Sequence, residues 1–199
     1  MAFLKYFFRQ KSASKDKAAR VHANKDKKGG GTERPNGSKG ASISTTDPAE
    51  DERMIAAKSF INCWNDHDME ACRQFVTVDF VTKFDEFEAE FDDYAREAQN
   101  VFDAMPDFNF RSKPGCMTLR DDGVVVVENL IPNGHHTGKP YAFGPCEPIE
   151  AKGTYVENAP ETLYFHFRNG KIYKQIVVAH GEMTGPPGIY TQLGGFPLL

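Results

Sequence analysis

The sequence predicts an α+β fold in which three N-terminal helices pack on one face of a strongly curved antiparallel sheet. Two patterns support this prediction. Apolar residues recur at helical spacing between residues 48 and 105, and strand-like runs follow between residues 108 and 181. A block of helices followed by a block of strands is typical of folds in which helices cover one face of an antiparallel sheet.

The chain divides into a basic N-terminal arm, residues 1–46, and a folded domain, residues 47–199. Residues 1–40 contain 11 Lys/Arg and three Asp/Glu, a formal charge of +8, whereas residues 41–199 contain 13 basic and 25 acidic residues, or −12. The arm has almost no apolar residue after position 12, which is typical of a disordered linker. We expect the arm, through residues 1–40, to bind a membrane surface or a polyanion, and we expect no specific nucleic-acid binding by the acidic domain.

The first eleven residues, MAFLKYFFRQK, combine aromatic and basic side chains. Their apolar run is too short for a secretory signal. An organellar presequence, a short amphipathic surface anchor and a disordered tail all stay open as interpretations.

Helices are predicted in three stretches. Asp47 is the expected N-cap of the first helix, with Pro48 at its first position. A second, short helix covers residues 69–75 and is capped by Asp68. The third helix covers residues 84–105, because apolar side chains recur there at steps of three and four while acidic residues occupy the opposite face.

Strands follow the helices, and the clearest of them form a hairpin at residues 161–181. Asn169-Gly170 separates two β-rich runs there, which predicts a type I′ turn because both central residues need a positive φ. The other predicted strands cover residues 108–111, 117–120, 124–131 and 154–156, with irregular structure at 133–134 and 140–148 and a final helical turn at 187–193.

Alternation along the hairpin predicts an apolar cavity wall with Tyr173 and Gln175 as its polar groups. The residues expected to bind a flat hydrophobic ligand are Trp64, Leu163, Phe165, Phe167, Tyr173, Gln175 and Val177. A filled core, in which these polar groups are satisfied locally, is the alternative. The opposite face of the hairpin is the expected homodimer surface, formed by Tyr164, His166, Ile176 and Val178.

Four cysteines, at positions 63, 72, 116 and 146, show no CxxC and no zinc spacing. We interpret them as reduced, mostly buried thiols, which favours an intracellular, reducing location, cytoplasmic unless the basic N-terminus directs the chain to an organelle. No phosphate-binding loop or dinucleotide fingerprint occurs, so we expect no cofactor and no metal.

Four short sequence motifs resemble those of a known family: WNDHD at residues 64–68, MPDF at 105–108, RNGKI at 168–172 and GIYTQLG at 188–194. In order and spacing they resemble the W-N-x-x-D, F-P-D, D-G-K-I and G-x-x-x-Q-L-G motifs of the SnoaL-like polyketide cyclases, in the nuclear-transport-factor-2-like superfamily. The resemblance covers residues 48–195. It implies a cone-shaped fold, in which a bent sheet wraps around a long helix and encloses an apolar cavity.

This sequence lacks the family's catalytic residues at the matching positions. Cyclases of this family place a His and an Asp on the two strands of the last hairpin, and the matching positions here hold Leu163 and Val177, which cannot transfer a proton. Ketosteroid isomerases of the same superfamily use an Asp after the second helix. The matching position here is Phe84, and Asp85 follows one residue later.

Glu128 and His135 are the candidate acid/base residues. Glu128 follows a valine run, where a buried carboxyl would hold its proton more strongly, and Glu161 is a second strand carboxylate. His135 and His136 are adjacent in sequence, so in a strand they point to opposite faces and cannot both ligate one metal. Solvent exposure of Glu128 and a surface position for the histidine pair are the alternatives.

These observations predict a domain that binds a small hydrophobic, carbonyl- or polyketide-like molecule in its cavity. If it is an enzyme, a cofactor-free isomerisation, cyclisation or dehydration by acid/base chemistry is expected. The alternative is a non-catalytic, dimerising scaffold domain that its basic arm positions. The state of the cavity distinguishes these two functions. Converging polar groups in an open cavity favour small-molecule binding, and a cavity filled by Phe165 and Phe167 favours the scaffold domain.

Overall fold

The computed structural model describes residues 51–84 and 87–196. In chain order the elements are α1 Glu52–Asn65, α2 Met69–Cys72, a 3₁₀ turn Arg73–Phe75, β1 Val76–Phe84, β2 Phe87–Glu90, α3 Phe91–Ala104, β3 Asn109–Arg111, β4 Met117–Leu119, β5 Val125–His136, β6 Thr154–Glu157, β7 Glu161–Arg168, β8 Lys171–Ala179 and α4 Gly185–Gln192. The predicted α+β class is confirmed: helices pack on a sheet that is curved like half a barrel.

The sheet is mixed, and the prediction of a purely antiparallel sheet is wrong at one pairing. Its strands run in the order β2-β1-β8-β7-β5-β3, and both β4 and β6 also pair with β5. β1 pairs with β8 in parallel, whereas the other strand pairs are antiparallel. The parallel pair arises because a long connection, which contains α3 and β2 to β7, separates β1 from β8 along the chain.

Short polar side chains define where the first two helices begin. Asp51 caps α1, because its Oδ1 accepts a hydrogen bond from the Arg53 N–H at 2.9 Å. The predicted cap at Asp47, like the predicted arm of residues 1–46, lies outside the described residues. Asp68 caps α2 as predicted, accepting a hydrogen bond from the Ala71 N–H at 2.8 Å.

The third helix begins later than the apolar spacing predicts. α3 starts at Phe91, and the chain before it forms the β1–β2 hairpin, in which Phe84 pairs with Phe87. β1 also bonds to β8 along its length, and Lys83 lies opposite Ile176 there. These pairings place Phe84 and residues 87–90, the start of the predicted helix, in a sheet, and they outweigh a local helical period of three and four.

Strand β5 is longer than predicted: it extends to His136 and includes Asn133-Gly134, which the sequence indicates as irregular. Asn133 to His136 pair with β6, so the Asn-Gly sequence there continues a strand and makes no turn. A register shift against β7 between Val127 and Leu130, with Asn129 at a φ of 55°, bends the strand. The two halves of β5 therefore contact different neighbours.

The predicted hairpin of β7 and β8 is confirmed, including its turn. Asn169 has a φ of 51° and Gly170 a φ of 75°, as a type I′ turn requires. Leu163 lies opposite Val177, and Phe165 lies opposite Gln175.

The core lies between the helices and the concave face of the sheet. The Phe60 ring of α1 contacts Phe80 at 6.1 Å and Phe165 at 5.5 Å between ring centroids. All four cysteines are free thiols, three of them buried and Cys116 partly buried, as predicted. Within the described residues, no helix combines the length and the hydropathy needed to cross a membrane.

Candidate functional site

A cavity of about 170 Å³ lies between α1, α3, α4 and the inner face of the sheet. An apolar cavity of this size accommodates a molecule of one or two small rings. Its lining is Trp64, Thr82, Phe84, Ala89, Tyr94, Glu97, Ala98, Val101, Phe108, Phe110, Pro132, Asn158, Glu161, Leu163, Gln175, Val177, Gly185, Pro186 and Ile189. Most of these side chains are apolar or aromatic, which is typical of small-molecule sites.

Four of the predicted ligand-binding residues line this cavity. Leu163 and Val177 lie directly opposite each other on β7 and β8, and both contribute to the wall. Gln175 lies two residues before Val177 on the same face, and Trp64 reaches the cavity from α1. The apolar pair therefore occupies the positions at which the resemblance implies a His and an Asp.

Phe165 and Phe167 do not line the cavity. Phe165 is fully buried and fills the core beside Phe60. Phe167 is partly buried and packs against the same core. These two rings therefore fill the core and do not fill the cavity beside it.

Tyr173 lies on the other face of the sheet, so the prediction that it shares the inner face with Gln175 is wrong. A bulge between His166 and Phe167 shifts the register, and Phe167 pairs with Ile172. The Tyr173 ring consequently lies 6.2 Å from the His166 ring, with the Arg168 guanidinium 4.9 Å above it.

Neither predicted acid/base residue lies at the cavity. Glu128 is exposed on β5, where its backbone N–H donates to the Cys116 carbonyl at 2.8 Å. His135 is also exposed, with Nδ1 at 2.7 Å from Oδ2 of Asp107 and its ring 5.0 Å from that of Tyr155. His136 is buried on the opposite face, as strand alternation predicts, with Nε2 at 3.0 Å from the Lys139 carbonyl oxygen.

Glu161, the first residue of β7, is a buried carboxyl in the cavity wall. It is 6% exposed and lies opposite Ala179 in the sheet. Burial raises the pKa of Glu161 to about 7, and a hydrogen bond from the Gly185 backbone only partly opposes this shift. A group that titrates near neutral pH in an apolar cavity can both accept and return a proton.

Glu97 of α3 places a second carboxyl in the same cavity. Burial raises the pKa of Glu97 to about 7, and Asp93 adds to this effect while the positive charge of Arg96 opposes it. Among the lining residues in the described part of the chain there is no Lys, Arg or His. An uncharged molecule therefore fits this site better than an anion does.

Sequence patterns could have identified both glutamates. Glu161 lies two residues before Leu163 and shares its face of the strand. Glu97 lies three residues after Tyr94 and four before Val101, so it interrupts the apolar stripe of α3. An acidic residue within an apolar stripe is the signal, but only the packing shows that both carboxyls lie in one cavity.

Polar, uncharged side chains also line the cavity beside the carboxyls, among them those of Thr82, Tyr94 and Gln175. The Thr82 hydroxyl donates to Oε1 of Gln175 at 3.1 Å, and both side chains are buried. Burial raises the pKa of the Tyr94 hydroxyl well above its ordinary value, while Gln175 and Trp64 partly oppose this effect. Tyr94 therefore keeps its proton at any physiological pH and can donate a hydrogen bond.

The indole N–H of Trp64 acts on the Tyr94 hydroxyl, but the contact does not reach hydrogen-bond geometry. The Trp64 side chain is buried, and Nε1 has no acceptor at hydrogen-bond geometry, although the Tyr94 ring lies 5.4 Å away. Within residues 51–84 and 87–196, no group of three or more His, Cys, Asp or Glu side chains is placed to ligate one metal ion.

Comparison with known proteins identifies the family. The model of the SnoaL-like polyketide cyclase family matches residues 54–180, more than half of the chain. A search of curated proteins found no match.

Solved structures share this fold. AclR, a candidate hydroxylase from Streptomyces galilaeus, is 18% identical over 73% of this chain and 87% of its own, with a TM-score of 0.56. A candidate SnoaL-like polyketide cyclase from Jannaschia sp. CCS1 is 16% identical over 68% and 90%, with a TM-score of 0.52. IdmH, a candidate polyketide cyclase from Streptomyces antibioticus, is 15% identical over 71% and 98%, with a TM-score of 0.51. At these identities the likeness extends to the fold alone.

Proposed function

Because the chain belongs to the SnoaL-like polyketide cyclase family, we propose that its cavity binds a small hydrophobic carbonyl compound and that Glu161 transfers a proton at the carbon next to the carbonyl. No cofactor is needed for such a step. The observation that carries this proposal is the position of Glu161, a buried carboxyl that titrates near neutral pH in a largely apolar wall.

The proposed chemistry begins with enolisation. The ionised carboxylate of Glu161 removes a proton from the α-carbon, and the electron pair of the broken C–H bond moves to the carbonyl oxygen. Return of the proton from Glu161 to another carbon gives isomerisation. Attack of the enolate carbon on a second carbonyl, whose oxygen takes that proton from Glu161, gives cyclisation, and departure of a β-hydroxyl together with that proton, as water, gives dehydration. These are the three reactions that the sequence predicts, and the same base serves all of them.

The cavity volume sets the size of the molecule. About 170 Å³ suits an uncharged ketone of about ten non-hydrogen atoms. 1-Indanone, a two-ring ketone with exchangeable α-protons, is therefore a suitable probe.

The proposal is tested by proton exchange in deuterated water. Wild-type protein should accelerate deuterium incorporation at the α-carbon of 1-indanone, followed by NMR, and Glu161→Gln should lower that rate by about 100-fold or more. Glu128→Gln, which removes an exposed carboxyl of β5, is the matched control and should retain the wild-type rate. An unaccelerated exchange with wild-type protein, or an unchanged rate in Glu161→Gln, would contradict the proposal.

A second function, homodimerisation, is favoured by the outer face of the last hairpin. Tyr164 pairs with Ile176 there. Val178, two residues after Ile176 on the same face of β8, is 40% exposed. We infer that this face, with His166, joins two copies of the chain, and that the arm of residues 1–40 binds a membrane surface or polyanion. The four free thiols support a reducing, intracellular location, cytoplasmic or organellar.

A further inference from the structure

The indole N–H of Trp64 points to an acceptor atom on the bound molecule. Trp64 lines the cavity and is 8% exposed, and its Nε1 is one of two buried side-chain polar atoms without a hydrogen-bond partner in the described part of the chain. A buried donor that has lost its water is unfavourable until something accepts its hydrogen bond. Since an indole N–H can only donate, the missing group is an acceptor.

Tyr94 supplies a second donor beside the first. Its ring lies 5.4 Å from that of Trp64, and its hydroxyl remains protonated. Gln175, whose Oε1 accepts from the Thr82 hydroxyl, and Trp64 both act on the Tyr94 oxygen as donors, and the Trp64 contact falls outside hydrogen-bond geometry. With its oxygen serving as an acceptor in this way, Tyr94 has its own proton available to donate into the cavity.

Glu161 acts on the same space from β7. Its negative charge contributes to the raised pKa of the Tyr94 hydroxyl, so the carboxyl lies within electrostatic range of the donor pair. Trp64, Tyr94 and Glu161 all line the one cavity. A molecule bound there meets donors from the helices and a proton acceptor from the sheet.

We propose that the Trp64 Nε1–H and the Tyr94 hydroxyl together bind one carbonyl oxygen of the substrate, opposite the α-carbon that faces Glu161. This inference rests on the proposed function and specifies its substrate class: a compact, uncharged ketone or enone of one or two rings. Carboxylic acids are excluded, because their negative charge would lie beside Glu97 and Glu161 without a cation in the wall.

The donor pair also has a catalytic role. When Glu161 removes the α-proton, negative charge grows on the carbonyl oxygen, and hydrogen bonds to that oxygen become stronger than in the bound ketone. Donors that are already in place for this charge lower the barrier without reorganising. Both residues touch the reacting group, so the prediction concerns rate as well as affinity.

The test compares 1-indanone with indane, which has the same two-ring skeleton without the oxygen. Full-length wild-type protein should bind the ketone about tenfold more tightly than the hydrocarbon, as measured by calorimetry. Tyr94→Phe and Trp64→Phe keep an aromatic ring at each position, so each should weaken ketone binding by about tenfold and leave indane binding within about twofold. Each should also slow α-deuterium exchange at saturating ketone by about 100-fold.

Tyr190→Phe is the matched control. Its hydroxyl donates to the Glu147 carbonyl at 2.8 Å and does not line the cavity, so ketone binding should equal that of the wild type. Equal wild-type affinity for ketone and hydrocarbon, or a ketone preference that survives in both variants, would overturn the donor pair and leave the proposed function standing. Binding of neither compound would overturn both proposals.

Discussion

Burial raises the pKa of two glutamates of this chain, and only the packing shows that both lie in one cavity. Glu161 and Glu97 lie in one cavity wall, and burial is the largest cause of the raised pKa of each. A carboxyl that is half-ionised near pH 7 costs stability and provides a proton acceptor at the place where the fold encloses space.

The cost in stability depends on pH, and Glu161→Gln should reveal it. The carboxyl has a pKa of 4.5 in the unfolded chain and about 7 in the folded one, so the folded state binds the proton more tightly. The free energy of unfolding therefore falls as pH rises from 4.5 to 7, and the loss persists above 7. Relative to wild type, Glu161→Gln should gain about 2–3 kcal/mol between pH 4.5 and pH 8, measured by urea unfolding.

Thr162→Ser, a non-titrating substitution at the adjacent position, is the control and should keep the wild-type pH dependence. A Glu161→Gln variant whose stability parallels that of the wild type at every pH would show that this carboxyl is solvated in the folded state.

The same titration should appear in catalysis. Only the ionised form of Glu161 accepts a proton, so the α-exchange rate of bound 1-indanone should rise about tenfold per pH unit below 7 and level off above it. Glu97→Gln should retain this ascending limb, since Glu161 is still present. A rate that does not change between pH 5 and 8 would argue against Glu161 as the base.

Among the secondary-structure elements, the β7–β8 hairpin has one feature that its local sequence predicts, the turn, and one that it does not, a bulge in the strand pairing. The turn follows from Asn169-Gly170, because Asn and Gly tolerate a positive φ better than other residue types do. The bulge at His166 and Phe167 has no such local signal, and it rotates Tyr173 away from the cavity. One extra residue in a strand reverses the face of every side chain beyond it.

Gly170→Val tests the turn. A β-branched residue at a φ of 75° is strained, so we expect a loss of about 1–3 kcal/mol in the free energy of unfolding, measured by urea or thermal denaturation. A Cβ at this position would meet no atom within 4 Å, so the loss would come from the backbone and not from a clash. Gly170→Asn, which tolerates this conformation, should lose clearly less, and equal stability of the wild type and Gly170→Val would contradict the turn type.

For the whole molecule, the curved sheet has one face that encloses the cavity and an opposite face that carries the predicted dimer surface. The inner face is covered by α1, α3 and α4. On the outer face, Tyr164 and Ile176 are partly exposed at paired positions of neighbouring strands. An apolar sheet face of this kind commonly joins two copies of a chain.

Ile176→Lys tests that assembly. We expect the full-length wild type to sediment as a dimer at micromolar concentration and the variant as a monomer, because two opposed lysines would be desolvated at the interface. Ile55→Lys, which replaces an exposed apolar residue of α1, is the control and should remain dimeric. A monomeric wild type would contradict the proposed interface.

The sequence by itself determined the features that depend on a few neighbouring residues: the cap at Asp68, the turn at Asn169-Gly170, the apolar pair Leu163 and Val177, and the part of the stripe predicted at 84–105 that is helical, residues 91–104. Each follows from backbone conformation or side-chain periodicity, which act within one or two turns of chain. The fold class follows from the order of such elements.

The tertiary structure alone decided which of these residues form a site. β1 became a strand because β8, some ninety positions later in the chain, supplies its hydrogen bonds. Glu161 and Glu97 became candidate proton acceptors because elements distant in sequence remove water from both. Desolvation and strand register depend on what packs against a residue. A local sequence pattern does not specify which distant residues do so.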